Sequence, residues 1–179
     1  MSDSIYPFQF EAEITTYDVG SERYIYTVIF LPEALHDDIP WHEATRGRLR
    51  VRGEINEMEF ASALMPVPGD AVPGSHRDRR YYILLSKKQL RHLELGVDHT
   101  VRVRFGVDDQ DAVQVPEVLA QALRQHGRMK KRWDALTPGK QRGLAYRVAS
   151  AKRAETQSKR IKEVFKILEG KRDMRGKPI

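Results

Sequence analysis

The spacing of hydrophobic residues changes once along this chain, at residues 108–111. Before that point apolar and polar residues alternate, as around Val103 and Phe105, which is the pattern of a half-buried β-strand. After it, apolar residues recur every three to four positions, as at Met129 and Trp133, which is typical of an amphipathic helix. The order of the two patterns predicts a β-rich part followed by a helical part, which is an α+β protein.

The same patterns predict that residues 8–107 form one closed, barrel-like sheet. In the β-rich part we expect these apolar residues to be buried: Phe10, Val28, Val51, Ile83, Val103 and Phe105. In the helical part we expect burial of Trp133, Leu144, Val148, Ile161, Phe165 and Leu168.

We place the β-rich domain at residues 5–113, a compact helical bundle at residues 114–170 and a basic, disordered tail at residues 171–179. Charge divides at the same point. Residues 1–113 carry 13 Lys or Arg and 19 Asp or Glu, a net charge of −6, whereas residues 114–179 carry 18 and 6, a net charge of +12. Such asymmetry suggests either a half that faces a polyanion or two halves that attract each other.

Four stretches of the first domain carry a resemblance to a known family. They are GEIN at 53–56, FASALMP at 60–66, LLSKKQLRHLELG at 84–96 and TVRV at 100–103. Together they resemble the bacterial DUF1905 family, a small β-barrel domain, which implies a barrel of the double-split type. This chain departs from the family pattern at residues 67–80, where a longer loop replaces a short turn.

The second domain resembles a different bacterial family. The matching residues are VPE at 115–117, LTP at 136–138, Tyr146, AK at 151–152, ET at 155–156 and RI at 160–161. They are similar to the YdeI/OmpD-associated (OmdA-type) helical domain, also called a bacteriocin-protection family, which implies a compact helix bundle. No reaction is attached to either family, and their labels point towards a stress-response role.

Several classes of protein are excluded or disfavoured. The chain has no cysteine, which excludes disulfides and thiolate metal sites. No apolar stretch approaches the roughly 18 residues of a membrane span. A secretory signal begins with basic residues followed by an apolar run, and residues 1–4 do not show this pattern. We therefore expect a soluble cytoplasmic protein with no membrane span.

We find no catalytic motif, since the chain contains no GxSxG, HExxH or glycine-rich phosphate loop. The nearest approach to a metal cluster is His36, Asp37, Asp38, His42 and Glu43. Its spacing matches no common ligand pattern, and a solvated polar loop explains it better. We predict no cofactor and no metal, and the sequence favours a protein that is not an enzyme.

Basic residues next to aromatic ones give a candidate small-ligand site, because such groups can hold a phosphate or stack a base. The candidates in and after the long loop are His76, Arg77, Arg79, Arg80 and Tyr82. The alternative is a solvated loop that leads into the next strand.

Arginines also form rows on two predicted strands, at Arg48, Arg50 and Arg52 and at Arg102 and Arg104. These rows could grip phosphates. The net negative charge of the domain favours instead pairing across the sheet with glutamates such as Glu11 and Glu54.

The helical domain carries the candidate nucleic-acid surface. Its predicted members are Arg128, Lys130, Lys131, Arg132, Lys152, Arg153, Lys159 and Arg160, and Trp133 and Tyr146 interleave with them. Cations in this number can track a nucleic-acid backbone. The alternative is a solvating surface with both aromatic residues in the core.

The sequence thus favours a non-enzymatic binding or stress-response protein whose basic helical module engages an acidic partner, with nucleic acid as the most natural one. A second hypothesis is a small-ligand-binding protein or enzyme with its pocket at the barrel mouth, under the loop at residues 64–82. A third is an assembly role in which the barrel forms a homodimer.

Overall fold

Two compact units, Met1–Gln110 and Asp111–Ile179, make up the molecule. A computed structural model describes residues 6–18, 25–45, 47–68 and 79–179. The first unit is a β-barrel and the second is helical, so the predicted α+β class is confirmed.

Six antiparallel strands form the barrel. They are β1 (Phe8–Asp18), β2 (Ile25–Phe30), β3 (Leu49–Ile55), β4 (Met58–Pro66), β5 (Tyr81–Leu84) and β6 (Thr100–Val107). The strands neighbour one another in the order β1-β2-β5-β4-β3-β6, and β6 closes the ring on β1. Closure pairs both edges of the sheet, which removes the exposed edge strands that promote aggregation. The prediction of one closed barrel over residues 8–107 is confirmed.

Short helices fill two of the connections between strands. Single-turn 3-10 helices at Glu33–Leu35 and Trp41–Glu43 follow β2, and helix α1 (Lys87–Leu93) follows β5. The Ser86 hydroxyl accepts a hydrogen bond from the backbone N–H of Gln89, and the Gln89 side chain accepts one from the backbone N–H of Ser86. This capping box satisfies backbone groups at the start of α1.

Alternate residues of each strand fill the barrel interior, including the predicted core residues Val51, Ile83, Val103 and Phe105, which are almost fully buried. Phe10, which we also expected to be buried, is half-buried and packs against this core.

Val28 is buried as predicted, but not inside the barrel. It packs in a separate cluster with Val67 and Tyr82. Its neighbour Ile29 belongs to the barrel core instead. Since successive side chains of a strand point to opposite faces, Val28 lies on the outer side of β2.

Four helices form the second unit. They are α2 (Glu117–Gln125), α3 (Gly127–Asp134), α4 (Pro138–Ala149) and α5 (Ala154–Leu168). Their shared core includes Leu119, Trp133, Leu144, Val148 and Leu168. Ile161 and Phe165, expected to be fully buried, are half-buried at the edge of this core. No described helix is long and apolar enough to cross a membrane.

Local contacts occur within residues 171–179, the segment that we predicted to be a disordered tail. Arg172 and Pro178 form an isolated β-bridge, and Asp173 Oδ1 accepts hydrogen bonds from the backbone N–H groups of Arg175 and Lys177. Met174 packs against the helical core. Met174 is the partly buried residue of this segment that the sequence reasoning overlooked.

Candidate functional site

The predicted nucleic-acid surface is not uniform, since two of its arginines are used to complete the helical fold. Arg132 Nη1 donates a hydrogen bond of 2.7 Å to the carbonyl of Leu168, the last residue of α5. Arg160 Nη1 donates to the carbonyl of Arg147 at 2.6 Å and to Ser150 Oγ at 2.8 Å. The last carbonyls of a helix have no partner within the helix, so these guanidinium groups satisfy them. Arg132 and Arg160 therefore have structural roles.

Two further members of the surface lie beside acidic residues. Lys130 Nζ forms an ion pair of 2.6 Å with Asp134, one turn later on α3. A hydrogen bond from Lys171 lowers the pKa of Glu169, and the charge of Arg128 contributes to this. Lys130 and Arg128 are therefore partly neutralised in the folded protein.

The structure describes every residue of the helical unit. The remaining predicted cations are exposed and have no acidic partner in this unit. They are Lys131, Lys152, Arg153 and Lys159. The exposed residues Lys162 and Lys166 join Lys159 at spacings of three and four, which places all three on one side of α5. We call these three residues the lysine row.

The two aromatic residues of this unit have opposite environments. Trp133 is buried in the helical core, as the solvating-surface alternative required, whereas Tyr146 is 73% exposed. Only Tyr146 of the pair therefore presents a ring on which a base could stack.

In the barrel, the arginine rows mostly pair with acidic residues. Arg50 Nη2 lies 3.1 Å from Asp108 Oδ2, and Arg104 forms an ion pair with Glu54 on the neighbouring strand. Arg48 and Arg102 differ, because both are exposed and neither has an acidic partner among the described residues. Charge pairing across the barrel thus explains Arg50 and Arg104 but leaves Arg48 and Arg102 unexplained.

The loop candidates fall into two groups. His76 and Arg77 lie outside the described residues. Arg80 places its guanidinium carbon 5.8 Å from the centre of the Phe30 ring, the geometry of a cation–π contact. Arg79 and Tyr82, by contrast, line a cavity.

This cavity has a volume of about 520 Å³. Its lining includes Tyr26, Arg48, Met65, Arg79, Tyr82 and Leu84. Tyr82 and Leu84 alternate along β5 with Tyr81 and Ile83, which belong to the barrel core. The cavity therefore lies on the outer wall of the barrel, and its lining includes residues of the stretch 64–82, under which our second hypothesis placed a pocket at the barrel mouth.

Tyr82, which lines the cavity, and Tyr81, which lies in the barrel core, remain protonated to higher pH than usual. Burial raises the pKa of Tyr82, as do the nearby Tyr17 and Tyr26, while Arg48 acts in the opposite direction. Burial also raises the pKa of Tyr81, against the effect of a hydrogen bond and the charge of Arg79. Both phenols are therefore neutral at physiological pH and can donate hydrogen bonds.

His36 and His42, the histidines of the suspected metal cluster, have different environments. His36 is 4% exposed, and neither ring nitrogen has a hydrogen-bond partner in the described structure. The His42 side chain is 81% exposed. Among the described residues, no three His, Asp or Glu side chains gather in a way that could hold a metal ion.

A closed six-stranded barrel followed by a basic helical unit defines the class of this protein. Residues 10–105 match the family described as a domain of unknown function, DUF1905, and the chain belongs to that family. Residues 112–170 match the family described as "Bacteriocin-protection, YdeI or OmpD-Associated". The chain therefore combines the two modules in the order that its sequence indicated. No curated protein matches the chain.

Sequence reasoning missed part of each candidate site. The cavity brings in Leu84, just after the loop, and Arg48 and Tyr26, which lie far from it along the chain. The sequence shows aromatic residues at alternate positions of β2, Tyr26 and Phe30, but not that this side faces away from the barrel core. On α5, the spacing of three and four residues among the lysines could have identified the row.

Proposed function

We propose that the helical unit binds a polyanion, with nucleic acid as the most suitable partner, through the lysine row and the two cations that precede α5. The single observation that carries this proposal is that Lys152, Arg153 and the lysine row are exposed and have no acidic partner among the described residues. Exposed cations without an acidic partner can neutralise the phosphates of a nucleic acid, and the release of the counterions condensed on those phosphates favours binding.

The length of this surface suits a nucleic-acid strand. Residues 153–166 span roughly 20 Å at about 1.5 Å per residue of helix. A strand of duplex DNA places one charge about every 3.4 Å along its axis, so the surface covers roughly six phosphates. Contacts with phosphates alone carry no sequence information, so we expect weak sequence preference. The exposed ring of Tyr146 adds a stacking surface for unpaired bases.

The test replaces Lys159, Lys162 and Lys166 together by Ala in the full chain. Binding of a labelled DNA duplex is followed by fluorescence anisotropy from about 50 mM to 200 mM salt. Because each lost phosphate contact reduces the salt slope by about 0.9, we expect the slope to fall by up to about 3. Alanine is the best helix former, so the substitutions preserve α5.

The matched control replaces Lys87, Lys88 and Arg91 by Ala, an equal change of charge at exposed positions on α1 of the barrel unit. We expect this variant to retain the slope of the unmodified protein. Equal weakening by both variants would mean that only net charge matters. Absence of binding below about 100 μM protein at low salt would show that the surface only solubilises the protein.

A further inference from the structure

The outer wall of the barrel carries an apolar cluster that barrel formation does not require. Val28, Val67 and Tyr82 are buried there, with Tyr17 and Phe30 packed against them. The rings of Tyr17 and Tyr82 lie 5.3 Å apart, and those of Tyr17 and Phe30 lie 5.9 Å apart. The three buried residues are shielded from water, whereas Leu84, which pairs with Val28 in the sheet, is 40% exposed and leaves part of this apolar wall open.

The cavity on this wall has the dimensions of a small-molecule site. Its volume of about 520 Å³ falls within the roughly 300–1,000 Å³ of ligand pockets. Tyr82, Met65 and Leu84 supply an apolar lining, and Leu84 is 40% exposed although it is a large aliphatic residue. An aromatic or aliphatic body of about two fused rings would cover that lining.

Two arginines give the cavity its charge. Arg48 and Arg79 both line it, and Arg79 Nη1 lies 3.6 Å from the position a side-chain carbon would take at Gly47, the residue next to Arg48. The two arginines therefore enter the cavity from the same side.

Neither arginine has a carboxylate partner among the described residues, in contrast to Arg50 and Arg104. Arg79 hydrogen-bonds Tyr81, but its Nε, like that of Arg50, is buried without an acceptor among the described residues. Burying a polar donor of a charged group without a partner is costly, and an acceptor brought by a ligand would remove that cost.

We propose that this cavity binds a small organic acid, with the carboxylate between Arg48 and Arg79 and a flat apolar body against Tyr82, Met65 and Leu84. A guanidinium group matches a carboxylate in shape and can donate two parallel hydrogen bonds to it. The Tyr26 ring, which also lines the cavity, lies at the edge of the apolar cluster and closes the binding surface on the side of β2. This site is separate from the polyanion surface of the helical unit and does not depend on it.

The probe is naphthoate, compared with naphthylmethanol and naphthyl phosphate by isothermal titration calorimetry on the full chain. We expect naphthoate to bind saturably with a Kd below about 1 mM. The neutral alcohol should bind at least about tenfold more weakly, because it loses the charged hydrogen bonds. Tighter binding of the phosphate than of the carboxylate would overturn the assignment to carboxylates.

Three variants test the residues. Arg48→Gln should weaken naphthoate binding about tenfold or more, and since Arg48 is exposed the barrel should stay folded. Leu84→Glu should abolish binding, because the new carboxylate would form ion pairs with the two arginines in place of the ligand. Arg102→Gln makes the same change of charge at an exposed position outside the cavity and should leave the affinity unchanged.

Two results would overturn the proposal. One is the absence of saturable naphthoate binding up to about 1 mM. The other is an equal loss of affinity in Arg48→Gln and Arg102→Gln, which would mean that the ligand only senses net charge. Neither result bears on DNA binding by the lysine row, which is measured separately.

Discussion

His36 occupies a place in the barrel unit that an apolar residue would normally take. Its ring lies 6.1 Å from that of Trp41 and 5.7 Å from that of Tyr81, both edge to face. Both ring nitrogens lack partners in the described structure. A buried polar group without a hydrogen bond destabilises the fold, and an apolar group of similar shape removes that cost.

We therefore expect His36→Phe to raise the free energy of unfolding by about 1 kcal/mol. Urea unfolding at neutral pH measures this. His42→Phe, at a position 81% exposed, serves as the control and should change the stability little. A loss of stability in His36→Phe would show that the imidazole contributes an interaction that a phenyl ring cannot replace.

At the level of single residues, the sequence identified the cations of the helical unit but not the role that each one has. Arg132, Arg160 and Lys159 look equivalent along the chain, and all three were assigned to one surface. Arg132 and Arg160 differ from Lys159 in that each donates a hydrogen bond to a backbone carbonyl, which lies 36 residues away for Arg132 and 13 residues away for Arg160. Such contacts depend on how the helices pack, which charge and spacing do not specify.

At the level of elements, Gly53 lies where β3 passes close to the backbone of β6. A side-chain carbon at Gly53 would lie 1.9 Å from the carbonyl oxygen of Arg104 and 2.6 Å from Cα of Phe105. Both are backbone atoms, so the strands would have to separate. Gly53→Ala should cost at least the upper end of the about 1–3 kcal/mol typical of overpacking, measured by urea unfolding.

Gly143 is the matched position for this test. It lies inside α4 with nothing within 4 Å of an added side-chain carbon, so Gly143→Ala should stabilise the protein by about 1 kcal/mol. The two variants add the same methyl group and should change stability in opposite directions. Destabilisation by both would contradict the local explanation.

The strands themselves were predictable because period two is a strong signal in β1, β3 and β6. The sequence did not predict which side of β2 faces the barrel interior. Both sides of β2 carry large apolar residues, such as Val28 and Ile29, so alternation cannot say which side enters the barrel. The same ambiguity hid the cavity, whose lining comes from β2, β4 and β5 together.

At the level of the whole molecule, the change of period predicted where the barrel ends and the helices begin. Charge divides with the fold, since the two hydrophobic cores belong to an acidic unit and a basic unit. The closing order of the strands was not predictable from periodicity alone, because pairs such as β1 with β6 join residues that are far apart along the chain.

The chain has two tryptophans, and each reports on a different unit. Trp41 packs against the barrel core and Trp133 is buried in the helical core. Leu144→Ala removes a residue that is 1% exposed in the helical core and should cost that unit about 2–5 kcal/mol. Because each unit has its own core, we expect only the unfolding transition of the helical unit to move.

Two single-tryptophan backgrounds measure this by fluorescence during urea unfolding. With Trp41→Phe, the remaining Trp133 signal should shift to lower urea when Leu144→Ala is added. With Trp133→Phe, the Trp41 signal should keep its midpoint. Ile83→Ala, at a position 1% exposed in the barrel core, is the converse control and should move only the Trp41 transition. If each substitution moved both signals equally, the two units would unfold as one cooperative structure, and binding studies on either unit would require the full chain.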